Sequence, residues 1–124
     1  MINDDWAARL RMAADVLKDV TPDELRVDQP FYDELTLVLS EYHLTDAGFA
    51  AAAPNVPNPP DWEQLNAAVH ASTPNELLLH VLTWLAQARW LDTPLVRVHE
   101  AGLLETAIRR LATEANRLDV TSVA

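Results

Sequence analysis

Four histidines, His43, His70, His80 and His99, are the side chains best suited to ligate a metal or move a proton near neutrality. They fall in four different segments, and none belongs to a His-x-x-x-His or Glu-x-x-His pattern that would set two ligands on one helix face. Glu76 and His80 come nearest: four residues apart, they are neighbours on a helix surface. They are the ligand or acid–base candidates, and the simpler reading makes them a surface pair. The carboxylates offer little more. Small helical metalloenzymes pair Glu-x-x-Glu or Glu-x-x-His because residues three apart project together, and this chain has no Glu-x-x-Glu. Glu34 and Glu41 are seven apart, roughly 10 Å along a helix and too far to share an ion. No metal centre is expected.

Nucleophilic and phosphate chemistry are poorly served. Ser40, Ser72 and Ser122 lack the Gly-x-Ser-x-Gly elbow that exposes a hydroxyl on a strained turn. Gly48 and Gly102 are the only glycines, so a glycine-rich phosphate cradle cannot form. No catalytic residue and no cofactor are predicted. Of the four tryptophans, Trp6 and Trp84 lie on apolar stripes and should be core. Trp90 ends a helix beside Arg89. Exposed, that pair would make a binding anchor, since Trp and Arg are enriched at interface hot spots. The simpler expectation is that Trp90 packs against the following helix.

The elements that must position these groups are helical. Trp6, Leu10, Ala13, Leu17 and Val20 step by four and three, which predicts a helix over 4–20 capped by Asn3 or Asp4. Thr21-Pro22, Thr73-Pro74 and Thr93-Pro94 mark helix starts, because proline suits the first turn and threonine accepts its amides. Glu24 and Glu76 complete capping boxes at the first two. Gln29-Pro30 opens a further helix to about 43, with Phe31, Leu35, Val38, Leu39 and Tyr42 on a wide apolar face and Asp33, Glu34 and Glu41 elsewhere. A break is expected at Ala47-Gly48, then a stiff proline-rich crossing over 53–60. A short helix over 61–71 should bury Trp62, Leu65 and Val69. The helix after Thr73 is apolar on more than one face and should be central. Gly102 should stop the helix begun at Thr93, and a last helix over 103–118 buries Leu104, Ala107, Ile108, Leu111 and Leu118. Its other face carries Arg109, Arg110 and Arg117. Residues 119–124 read as a frayed tail. The expectation is an all-α fold, one domain over 1–118 with five to seven helices.

Composition narrows the function. Nineteen acidic residues against nine basic give a net charge of −10 at pH 7. That disfavours direct binding to nucleic acid or to anionic lipid, both of which need a basic surface. Without cysteine there is no disulfide, thiolate metal site or thiol nucleophile. No apolar run approaches the roughly 18 residues that span a bilayer. The start, Met1-Ile2-Asn3-Asp4-Asp5, lacks the basic and apolar regions of a signal peptide, so a soluble cytoplasmic protein is expected.

Several stretches resemble a family of small uncharacterised bacterial all-helical proteins, a domain of unknown function. They are Phe31-Tyr32-Asp33-Glu34-Leu35 through Gly48-Phe49, then Leu78-Leu79-His80-Val81-Leu82-Thr83-Trp84-Leu85 leading through Arg89. Glu100-Ala101-Gly102-Leu103-Leu104 and Ile108-Arg109-Arg110-Leu111 complete the likeness, over residues 30–113. This chain departs from it at Thr93-Pro94 and in the proline-rich crossing. The resemblance implies an all-helical fold and assigns no catalytic residue.

Taken together, these features point first to an acidic helical protein-interaction module, a regulator or immunity-type inhibitor of a basic partner. Asp33, Glu34, Glu41, Arg89 and Trp90 are its candidate contacts. The alternative is a small enzyme or ligand-binding protein with a site between helices near Glu76, His80 and Arg89. Nucleic-acid mimicry toward a basic protein is a third reading. A structural protein that self-associates, as a homodimer, through the apolar central helix is a fourth.

Overall fold

The computed structural model describes residues 4–52, 62–90 and 93–122. Among them are seven α-helices and one two-stranded sheet, an all-α fold. The helices are α1 (Asp4–Leu17), α2 (Pro30–Leu39), α3 (Asp46–Ala52), α4 (Trp62–Ala71), α5 (Pro74–Gln87), α6 (Thr93–Glu100) and α7 (Leu103–Thr113). Strands β1 (Tyr42–Leu44) and β2 (Val120–Ser122) pair antiparallel, His43 opposite Thr121. Single 3-10 turns cover Pro22–Leu25 and Ala115–Arg117.

One continuous apolar core runs through the molecule. The α1 stripe supplies Trp6, Leu10, Ala14 and Leu17, and packs along α7, which supplies Leu104, Ala107, Ile108 and Leu111. α5 sits among α2, α3, α6 and α7, as its broad apolar surface requires. α7 is equally central, touching α1, α4, α5 and α6. Trp6 and Trp84 are both buried.

The caps behave as their chemistry demands. At α5, the Thr73 hydroxyl accepts the Glu76 amide at 3.2 Å, and the Glu76 carboxylate accepts the Thr73 amide at 2.7 Å. Gly102, at φ 76°, lets the chain turn from α6 into α7.

Five segments differ from the sequence reading. The helix expected over 103–118 ends at Thr113, where the backbone of Glu114 leaves helical geometry, and a 3-10 turn over Ala115–Arg117 follows. α1 stops at Leu17, although Val20 still reaches the core. α2 ends at Leu39 instead of continuing to 43, because Tyr42 turns its ring onto Trp6 and its backbone onto Ser122. Correspondingly, residues 120–122 are a paired strand rather than part of a frayed tail: β-branched Val120 and Thr121 suit a ladder once β1 is there to receive them. The break expected at Ala47-Gly48 is the first turn of α3, with Thr45 Oγ1 accepting the Gly48 amide at 3.0 Å. Glycine is needed there for space, since a Cβ would stand 2.9 Å from the Asp119 carbonyl oxygen. The proline-rich crossing over 53–60, Asn3 as a cap, and the side chains of Trp62, Leu65 and Leu91 lie outside the described residues.

Candidate functional site

α1 and α2 meet without closing. The Trp6 indole N–H donates to the Val38 carbonyl at 2.6 Å, and the Trp6 ring meets Tyr42 edge-on at 5.2 Å. α2 is held from behind by Tyr32, whose hydroxyl donates to the Leu85 carbonyl on α5. These ties fix both walls of a groove of about 630 Å³. Ala13, Phe31, Leu35 and Val38 form its inner surface, and Met12, Val16 and Leu37 stand along its edges. Those three are 67%, 51% and 70% exposed, unusual for large apolar side chains brought together in one place.

Arg9 and Glu41 mark one end of the groove. Arg9 Nη1 donates to Glu41 Oε1 at 2.6 Å and Nη2 to Oε2 at 2.5 Å, a two-pronged pair. Asp5 lies 3.1 Å from Arg9 Nε on the other side. The guanidinium holds the Glu41 carboxyl below its ordinary pKa, against the opposing effect of burial. Glu34, also on the groove wall, has no ion-pair partner among the described residues.

Two of the residues singled out from sequence, Glu34 and Glu41, thus come together. Asp33 is exposed one residue away but does not line the groove. Arg89 and Trp90 are elsewhere, at the C-terminal end of α5. Trp90 is 88% exposed and therefore is not packed on the following helix. It stands past the end of α5 at Gln87, two residues beyond the buried cap residue Ala88, which carries it out of the core.

Glu76 and His80 do not form the expected surface pair. Glu76 is committed to the Thr73 cap, and His80 is only 2% exposed, its ring stacked on Trp84 at 6.0 Å. Burial pushes the His80 imidazole below its ordinary pKa, with the Glu76 charge opposing, so the ring is neutral at pH 7. Its Nε2 has no hydrogen-bond partner among the described residues. Neither the α1–α2 groove nor a smaller hollow of about 390 Å³, between Leu17, Pro22, His99 and Gly102, is lined by His80.

The arginines of α7 and of the turn after it, expected on one helix face, are each engaged with a carboxylate. Arg110 donates to the Val69 and Ser72 carbonyls at 2.8 and 3.0 Å and pairs with Glu114. Arg109 bridges to Asp15 on α1 at 2.7 Å, and Arg117 pairs with Glu114.

Sequence reasoning missed Met12, Val16, Phe31 and Leu37 as a site. The available signal was the width of the α2 apolar face, together with Met12 and Val16 spaced four apart and off the core stripe.

No described helix is long and apolar enough to cross a membrane, and no group of three or more His, Asp or Glu among the described residues could hold a metal ion. No family model matches the sequence, and no curated protein or solved structure matches it either. The all-helical fold that the resemblance over 30–113 implies therefore rests on the structure itself.

Proposed function

We propose that this chain is a protein-interaction module whose docking face is the α1–α2 groove and whose partner is basic. The observation that carries the reading is the cluster of Met12, Val16 and Leu37, exposed beside an apolar floor that the remaining described helices leave uncovered. A surface of this kind gains from burial when a partner removes it from water. The charge of −10 adds long-range attraction toward a basic surface and repulsion from acidic ones. A regulator or inhibitor of a basic protein fits both features. The reading of an enzyme around Glu76 and His80 has weaker support, because one carboxylate is occupied in a cap and the ring is buried.

Native mass spectrometry on the tagged chain and its Leu37→Asp variant, each captured from the source cells, tests the proposal. A stoichiometric basic protein recovered with the native chain and lost from the variant supports it. Recovery of the bare chain, or of the same partner by both forms, contradicts it.

A further inference from the structure

Resting on that reading, we infer that the groove takes one amphipathic α-helix of a partner, with apolar residues on the face it presents and lysine or arginine flanking them. The shape of the walls argues for a helix. Arg9 to Val16 on α1 and Phe31 to Val38 on α2 each span about 10 Å, which is about two turns of helix. Both walls are helix surfaces with side chains spaced by three and four, Met12 with Val16, Phe31 with Glu34 and Leu35 with Val38. A third helix can set its own ridge between such rows, with contacts at i, i+4 and i+7. An extended strand would find no sheet edge here, since β1 and β2 are not part of the groove.

The charges argue for a cationic helix. Arg9, the one cation lining the groove among the described residues, is spent on Glu41 and Asp5. The carboxylate left over is that of Glu34, at the groove wall, with exposed Asp33 next to it. An incoming lysine or arginine at the edge of an apolar stripe would answer Glu34 without disturbing the Arg9–Glu41 pair. A second copy of this chain fits worse. Pairing two grooves about a twofold axis would put the same acidic surface on both sides of the interface, between two molecules each carrying −10. The neutral or acidic face of a partner would likewise leave Glu34 unanswered.

The test is a titration of the isotopically labelled chain with three synthetic helical peptides of roughly 14 residues, four turns long. All share a leucine stripe; one is flanked by lysine, one by glutamate, and one has the lysine composition scrambled off the stripe. Backbone amide shifts are followed in two-dimensional NMR. The lysine peptide should move resonances in α1 and α2 around Met12, Val16 and Leu37, and the other two should not. Leu37→Asp should weaken that binding more than about tenfold, as loss of a central apolar anchor does. Glu34→Lys should weaken it by roughly threefold to fivefold, the scale of one exposed ion pair, and should let the glutamate peptide bind. Equal binding of the lysine and glutamate peptides would overturn the charge assignment. So would sedimentation showing a dimer that Leu37→Asp dissociates, because the occupant would then be a second copy. No shift in α1 or α2 at millimolar lysine peptide would overturn the helix assignment. The interaction reading is tested separately: a partner captured from cells that maps to α1–α2 in a non-helical form, or to Trp90, would leave an interaction module standing while removing this occupant.

Discussion

α1 has two sides that were built differently. Toward α7 its buried stripe, Leu10, Ala14 and Leu17, packs along a helix that buries Leu104, Ile108 and Leu111, and the Arg109–Asp15 bridge spans the two helices. Toward α2 the same helix presents Met12 and Val16 to solvent beside Leu37. The apolar chemistry on the two sides is similar; the difference lies in what covers it. Where a second helix completes the burial, the side chains hold the fold. Where the partner helix stops short, they are free to hold something else. This contrast predicts that substitutions in the seam act on stability, and substitutions in the groove act on binding with little effect on stability.

The largest effect should come from breaking the seam. Leu104→Ala removes a fully buried side chain from the α1–α7 contact and should cost about 3 kcal/mol, from lost burial and the cavity left behind. Denaturant unfolding would read this as a lower midpoint with unchanged slope. Arg110→Ala should follow at about 2 kcal/mol, because the Val69 and Ser72 carbonyls lose their charged donor while Glu114 is left with Arg117 alone. A loss near zero would mean that water replaces the guanidinium freely and that the α4–α7 junction is looser than the bonds imply.

A subtler effect concerns acid. Burial holds the His80 pKa below its ordinary 6.5, so the unfolded chain binds the proton first as pH falls. The stability His80 contributes is complete above pH 6.5 and declines as pH drops below it toward the folded-state value. Glu41, held below its ordinary 4.5 by Arg9, acts in a lower window: its contribution is present above 4.5 and is lost as pH falls further. His80→Phe should flatten the upper part of the pH–stability curve and leave the lower part unchanged. A curve of the same slope in the variant would show that His80 is not the group titrating there. The smallest stability effect should be that of Leu37→Asp, within about 0.5 kcal/mol, since the side chain is already in water.

Much of the architecture could be read in the residues because the cues were local. Thr73-Pro74-Asn75-Glu76 carries its own capping box, Gly102 its own left-handed turn, and α7 its own stripe at helical spacing. The misread parts depended on distant residues. Tyr42–Leu44 becomes a strand only because Val120–Ser122 lies alongside, and Gly48 reads as a breaker until Asp119, Thr45 and Asn75 are seen crowding it. The site was partly visible. Glu34 and Glu41 stand out in the sequence for their charge, but the Arg9 that occupies Glu41 comes from 32 residues away. His80 looked like half of a surface pair because spacing along a helix does not show which way the helix faces. Trp90 posed the same difficulty in reverse. Met12, Val16 and Leu37 look like ordinary helix residues in sequence, and only the gap between α1 and α2 makes them a surface.

The central claim, that the α1–α2 groove binds and does not hold the fold, is tested most directly by measuring two quantities on the Leu37→Asp chain. One is its unfolding free energy and the other its calorimetric binding isotherm for the lysine-flanked helix, each beside the native chain. The account predicts an unfolding curve that overlays the native one and a binding isotherm reduced to baseline. A variant that loses stability and binding together would place Leu37 in the fold, and one that keeps full binding would place the docking surface elsewhere.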